Sequence, residues 1–430
     1  MDGANPVKMA SPLARPAPLW SDAEAAGKSE AELLVYRSRL LGADLGVTNF
    51  GGGNTSAKLA LPDPIDGTPV EVLWVKGSGG DLGSIDETGF SRLRLARLLA
   101  LEPRFSGPAD EDRMAGLYIH AAFEPGVRAP SIDTPLHALL PFRHIDHVHP
   151  DAVIAVATAT EGEGAAAEIW GRGVGWTPWL RPGFELALRL RALVRERPDL
   201  RGVVLAGHGL IAWGETSKAC YENTLDLIAR AADHLNARLT GARAFGGARV
   251  EPLAKAKRAA AAARLAPALR ALAGDAPRKI VHFDDAPKTL EFVGSNDAAR
   301  LAALGASCPD HFLRTKVKPL LLDEDRLARE GEAYLAAAFE AYRRAYGAYY
   351  ARHRTPRSPA MRDANPVVVL HPRLGLFTLA KDKPTARIAA EFYRNAIEVM
   401  RGAEAAGGYL GLAEAEAFAI EYWALEEAKL

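Results

Sequence analysis

Cysteine is nearly missing from this chain: Cys220 and Cys308 are the two in 430 residues. That is too few for a disulfide framework or a thiolate zinc site, and suits a reducing cytosol. Net charge is missing too, because 53 lysines and arginines balance 53 aspartates and glutamates. No overall basic field therefore argues for nucleic acid or an anionic membrane as a partner. There is no apolar run of about 18 residues to span a bilayer. The N-terminus lacks the basic-then-apolar plan of a secretory signal. These absences predict a soluble, cytoplasmic protein with no nucleic-acid or membrane partner.

What is present is an ordinary globular composition, 48% hydrophobic and 25% charged, long enough for two or three domains. Residues 1–20 are rich in proline and alanine and are expected to form a flexible N-terminal arm. Ser29-Glu30-Ala31-Glu32 reads as a capping box opening an amphipathic helix through Leu41. Beyond it lies the glycine-rich turn Gly51-Gly52-Gly53-Asn54-Thr55-Ser56. Strands are expected near Ala57–Leu61 and Val70–Val75, joined by a hairpin at Asp66-Gly67. The second strand empties into another glycine-rich loop, Lys76-Gly77-Ser78-Gly79-Gly80. Helices are predicted over Thr88–Leu101, Asp110–Phe123, Gly183–Val194 and Lys218–Leu239. Strands are predicted on either side of His208. Alternating helices and strands with hairpin signals point to an α/β domain over residues 21–250, with a largely antiparallel or mixed sheet.

Composition changes near residue 250. Residues 251–430 read as an extension of helices and short strands: an alanine-rich helix over Ala254–Ala273, strands near Ile280 and Leu290, and a helix over 324–350. A hairpin over Val367–Leu370 and Leu376–Leu379 and two more helices follow. Cys308–Lys316 reads as a solvated loop entering a strand. Trp170, Trp176 and Trp179 read as core or subunit interface. No internal repeat is present.

The chemistry concentrates around Pro130-Ser131-Ile132-Asp133-Thr134-Pro135-Leu136-His137 and His144-Ile145-Asp146-His147-Val148-His149-Pro150. His147 and His149 are two apart, so on an extended chain both imidazoles project from one face. A third imidazole, His208 between Gly207 and Gly209, completes a set that can hold zinc and leave one position open. Glycine on both sides permits close backbone approach and unusual φ. Asp133, upstream on a short helix, could supply an acid to that site. His137 lies one helical turn further on and reads equally well as a partner of the site or as a core histidine. The two glycine-rich loops, with Asn54, Thr55, Ser56, Lys76 and Ser78, can present backbone N–H groups to phosphate. The second is not a dinucleotide fingerprint, since Gly77, Gly79 and Gly83 miss the required spacing.

In this order, Gly52-Gly53-Asn54-Thr55-Ser56, Val75-Lys76-Gly77-Ser78-Gly79, Pro130-Ser131-x-Asp133 with His137, His147-x-His149-Pro150 and Gly207-His208-Gly209 resemble the class II aldolase/adducin family. The resemblance covers about residues 30–245. With residues 250–430 included, the chain is similar to the aldolase part of bifunctional rhamnulose-1-phosphate aldolase/short-chain dehydrogenases. The resemblance implies a class II aldolase-like α/β/α fold with a central, largely antiparallel sheet, plus a C-terminal helix-rich α+β extension. It implies Zn2+ or another divalent metal on His147, His149 and His208. It places phosphate at Asn54, Ser78, Gly79 and Ser131. Asp133 falls where the family commonly has a metal-ligating, proton-moving glutamate. It also implies a homo-oligomer, often a four-fold tetramer, and a link to a short-chain dehydrogenase.

The activity so expected is metal-dependent retro-aldol cleavage of a ketose 1-phosphate, foremost L-rhamnulose 1-phosphate, to dihydroxyacetone phosphate and lactaldehyde. Alternatives on the same site are a pentulose-phosphate 4-epimerase and a ketose-1-phosphate dehydratase. An adducin-like interaction protein would keep the fold and lose the ligands.

Overall fold

The computed structural model describes residues 12–239, 243–274 and 278–427. The chain divides into two compact units, one built from Ala14–Ala157 and Glu161–His234, the other mainly from Leu235–Glu427. Residues 1–11 of the expected arm lie outside the described residues. From Ala14 onward the segment is anchored. Leu19 donates its N–H to the Tyr221 hydroxyl at 3.0 Å, and Trp20 packs edge-on against Tyr36.

The first unit holds a seven-stranded sheet in the order β3-β2-β1-β4-β7-β6-β5. Its strands are β1 (Asn54–Pro62), β2 (Pro69–Lys76), β3 (Phe90–Arg94), β4 (His144–Val148), β5 (Val174–Thr177), β6 (Gly202–Leu205) and β7 (Gly209–Gly214). Every neighbouring pair is antiparallel except β5 with β6. The two-residue period of a strand divides β2 between two cores. Leu73 and Val75 join Ile145, Ile211 and the helices α2 (Thr134–Leu139) and α4 (Phe184–Glu196) on one face. Val72 and Trp74 join Leu34 of α1 (Glu30–Gly42) on the other. The result is a helix–sheet–helix sandwich.

Local signals explain several boundaries. Ser29 accepts from the Glu32 N–H while the Glu32 carboxylate accepts from the Ser29 N–H, the reciprocal bonds of a capping box. At the β1–β2 hairpin Gly67 takes φ +74°, and the Asp63 and Asp66 carboxylates accept from Ile65 and Thr68 N–H groups.

The helix expected over Thr88–Leu101 is corrected. Phe90–Arg94 is strand β3, in register with β2 from Phe90 opposite Lys76 to Arg94 opposite Val72. Only Leu95–Leu99 is α-helical, and Glu87–Gly89 before the strand is a single 3-10 turn. Pairing along β2 outweighs the helix preference of Leu93 and Arg94, as tertiary context does for weak propensities, and ends where the helix begins at Leu95. The helix expected over Asp110–Phe123 is likewise broken into Glu111–Leu117 and a 3-10 turn over Tyr118–Ala121. Val153–Val156 belongs to α3 (Asp151–Ala157).

The second unit carries a four-stranded sheet in the order β8-β11-β10-β9, over Ile280–Asp284, Leu320–Leu321, Val368–His371 and Gly375–Ala380 for β8 to β11. Helices Lys255–Leu272 and Glu332–His353 contribute Leu269, Leu335 and Phe339 to its core beside Val369 and Phe377. Two expectations are corrected. The strand expected near Leu290 is helix Pro287–Val293. Cys308–Lys316 is helix Pro309–Thr315, with Cys308, His311, Phe312 and Thr315 buried. The signals were there: proline in the first turn, Asp310 near the N-terminus and Arg314 near the C-terminus. Both cysteines are buried. Among the described residues, no helix is long and apolar enough to cross a membrane.

Candidate metal centre and active site

β4 delivers His147 to the sheet face that also carries Ile145, and His149 follows directly after the strand. His208 sits in the tight turn between β6 and β7, where its N–H donates to the Leu205 carbonyl at 3.0 Å. The flanking glycines have separate reasons to be glycine. Gly207 takes φ +65°, a conformation costly for a residue with a Cβ. A Cβ at Gly209 would lie 2.6 Å from the Val148 carbonyl oxygen and 2.8 Å from His149 Cδ2. The close approach of β7 to the end of β4 therefore brings His208 to the other two rings.

The three imidazoles meet through the same atom. His147 Nε2 lies 3.1 Å from His149 Nε2 and 3.3 Å from His208 Nε2. His147 Nδ1 lies 3.1 Å from the Leu210 carbonyl oxygen. A carbonyl can only accept, so Nδ1 carries the proton and the Nε2 lone pair faces its neighbours. All three side chains are buried. Tetrahedral sites with metal–nitrogen bonds of roughly 2.0–2.1 Å hold their nitrogens about 3.3–3.4 Å apart. The donor set and its spacing fit a divalent cation, and His147, His149 and His208 form a candidate metal site.

Asp133 stands at the start of α2 and is 7% exposed. It makes no side-chain cap bond to the helix. Its Oδ2 instead accepts from Asn54 Nδ2 at 2.8 Å. His137 Nε2 meets Asn54 Oδ1, and His137 Nδ1 lies 2.7 Å from Ser56 Oγ. Burial first, then the His147 ring, pushes the His137 pKa down to about 3, so this imidazole is neutral at ordinary pH. The expected phosphate role of Asn54 therefore meets a competing one, because both ends of its amide engage the Asp133–His137 pair. β1 lies beside β4 with Asn54 opposite His147, which is what brings the amide to this place.

The Ser78-Gly79 loop is joined to the segment that leads into Ser131. Gly77 bridges Pro130 across two antiparallel segments, and Ser78 N–H donates to the Ala129 carbonyl at 3.0 Å. Gly79 takes φ +73° with open space on its Cβ side. Ser131 Oγ accepts from the Asp133 N–H at 3.3 Å, leaving the hydroxyl proton to donate elsewhere. The two glycine-rich loops are also tied together, through Gly51 N–H to Asp81 and Lys76 Nζ to the Gly51 carbonyl.

His144 is not part of the centre. It lies on the opposite face, 3.5 Å from Glu30, and burial with the nearby Arg37 charge pushes its pKa down to about 3. Sequence reasoning also passed over what fixes β4. Asp146 pairs with Arg37 at 2.9 Å, both side chains fully buried. Arg37 donates to the Ser56 carbonyl and the Ser217 hydroxyl, and Thr224 donates to Asp146. The available signal was an arginine within the Leu34–Leu41 apolar stripe of α1. Trp179, expected as core or interface, is half-buried with its ring 6.4 Å from that of His208.

A sandwiched, largely antiparallel sheet with three converging imidazoles and a buried carboxylate marks an α/β protein with a candidate metal site. The family described as Class II Aldolase and Adducin N-terminal domain matches residues 32–234. Aldolase class II, second domain, matches residues 260–430. The chain belongs to the class II aldolase and adducin family. It is 37% identical over 416 residues to the uncharacterized oxidoreductase YuxG of Bacillus subtilis (strain 168), covering 96% of this chain. The chain spans 60% of that relative's length. Among solved structures it is similar to the N-terminal class II aldolase domain of a conserved protein from Thermoplasma acidophilum. That likeness has 32% identity and a TM-score of 0.47, over 50% of this chain and 98% of that one. It is also similar to L-fuculose-1-phosphate aldolase from Thermus thermophilus, at 19% identity and a TM-score of 0.33 over 48% and 96% of the two chains.

Proposed function

We propose that this protein is a divalent-metal-dependent aldolase-type lyase, with zinc on His147, His149 and His208, that cleaves a ketose 1-phosphate. The observation that carries the reading is the convergence of three Nε2 atoms at 3.1 and 3.3 Å, in a chain of the aldolase family. L-rhamnulose 1-phosphate is the proposed substrate, giving dihydroxyacetone phosphate and lactaldehyde. A cation held by the three histidines supplies Lewis-acid stabilisation of negative charge on substrate oxygens, so no Schiff-base lysine is needed. Breaking C3–C4 leaves the electron pair on C3; the C4 hydroxyl gives up its proton as it becomes the aldehyde and C3 takes one up, so no proton is gained or lost overall. Asp133 moves the proton at C3. Ser78, Gly79 and Ser131 hold the phosphate, whose binding energy orients the bond to be broken. Asn54 sits between the two functions and aims the carboxylate.

The name of the Bacillus relative supports a functional link to a dehydrogenase, and lactaldehyde is an oxidisable product. Assembly into a homo-oligomer, in the four-fold form the family resemblance implies, belongs to the same proposal.

The test is a panel of ketose 1-phosphates and pentulose phosphates, incubated with the metal-loaded protein and coupled to detection of dihydroxyacetone phosphate. L-rhamnulose 1-phosphate is expected to react fastest. Release of no dihydroxyacetone phosphate from any ketose 1-phosphate would overturn the lyase reading. An epimerised or dehydrated product would transfer the site to those reactions.

The phosphate subsite has its own expected outcome. Ser78→Ala should weaken binding of a phosphorylated substrate by about 1.5–3 kcal/mol, the worth of a hydrogen bond to a charged group. The loss should appear in KM with the metal content unchanged. Unaltered KM and kcat would exclude the Ser78 loop.

A further inference from the structure

β1 turns a polar face inward. Asn54, Ser56 and Lys58 recur at the two-residue period of a strand and so project to one side, and all three are buried. Each meets α2 or its immediate flanks. Asn54 bonds Asp133 and His137, Ser56 bonds His137, and Lys58 Nζ donates to the Leu140 carbonyl at the helix end. An inner strand face is normally apolar, and three successive polar side chains there call for a reason.

The direction of each bond follows from one constraint. An ionised carboxylate only accepts, so Asn54 must present Nδ2–H to Asp133. Asn54 Oδ1 then faces His137 and accepts, which places a proton on His137 Nε2. The remaining ring nitrogen, Nδ1, has a lone pair and accepts from the Ser56 hydroxyl. Ser56, His137, Asn54 and Asp133 thus form one chain of donors with a single polarity. Arg37 fixes its far end by donating to the Ser56 carbonyl at 2.8 Å.

We propose that Ser56, His137 and Asn54 form a hydrogen-bonded rail that holds the Asp133 carboxylate in one orientation for proton transfer, with His137 as its central positioning residue. This rests on the reading of Asp133 as the proton-moving group. His137 acts through Asn54 and is 0% exposed, so it has no surface to offer a substrate. Rate is sensitive to such alignment: a misplacement of about 1 Å can cost roughly 100-fold.

The test uses the metal-loaded full chain. In the wild type, nitrogen-15 NMR of the imidazoles is expected to find His137 as the Nε2–H tautomer; the Nδ1–H tautomer would reverse the rail and overturn it. His137→Leu should lower kcat about 100-fold while KM and metal content stay within about 3-fold. His137→Gln keeps an amide donor where Nε2–H stood, and should return kcat to within about 10-fold of wild type. Ser56→Ala should lower kcat about 3–10-fold. If His137→Leu does not fold, His137→Gln and Ser56→Ala carry the test, and wild-type kcat with an unchanged His137 tautomer in Ser56→Ala overturns the rail. Combined with Asp133→Asn, His137→Leu should add no further loss; equal losses in both backgrounds would show that it does not act through Asp133. A slow Asp133→Asn with a normal, folded His137→Leu removes the rail alone. Wild-type turnover in Asp133→Asn removes the Asp133 reading, and the rail with it.

Discussion

Asp133→Asn is expected to give a folded protein whose turnover falls by roughly 10²–10⁴-fold, the usual worth of a positioned general acid–base group. Two observations separate this from a helix-cap effect. Asp133 occupies the cap position of α2 but makes no side-chain cap bond. Its buried Oδ2 is instead the acceptor for Asn54 at 2.8 Å. Asparagine retains a carbonyl oxygen to accept that bond, and caps a helix about as well as aspartate. Stability should therefore stay near wild type in a thermal melt while proton transfer is lost. If the carboxylate also touches the metal, occupancy drops modestly and the histidines keep most of it. Wild-type turnover would end the catalytic assignment. Asp146 is poorly placed to inherit it, being fully buried against Arg37 and bonded by Thr224.

The second large effect concerns the metal. Elemental analysis of the protein purified without chelator should find about one divalent ion per chain, as a single three-histidine site requires. His208→Ala removes one of three ligands. Its metal affinity should fall by more than the roughly 10–100-fold that loss of a ligand's hydrogen-bond partner costs, and turnover should fall with it. His144→Ala is the matched control, because that ring lies toward Glu30 on the other face; its metal content should equal wild type. Full occupancy in His208→Ala would disprove the site. Chelation should also lower the melting temperature of the wild type and leave His208→Ala little changed, since an ion bound only by the folded state stabilises it by mass action.

The sequence by itself determined the features that depend on near neighbours. The capping box at Ser29, the hairpin at Asp66-Gly67 and the spacing of His147 and His149 are set within a few residues, where covalent geometry ties sequence to shape. The glycines around His208 carried similar information, since positive φ and close approach both demand a missing Cβ. Charge balance and the scarcity of cysteine narrowed the class of protein before any fold was known.

Tertiary structure alone decided what depends on distant partners. Phe90–Arg94 became a strand because β2 offered it a register, a fact that no window around residue 90 contains. Asn54 was drawn to Asp133 and His137 because β1 runs beside β4 and beneath α2. Arg37 and Asp146 are separated by more than a hundred positions, yet they neutralise each other in the core. Pro309–Thr315, polar enough to read as a solvated loop, is a buried helix because its surroundings cover it. Periodicity is a local property of the chain, whereas the partner a polar side chain finds is set by strand order and register.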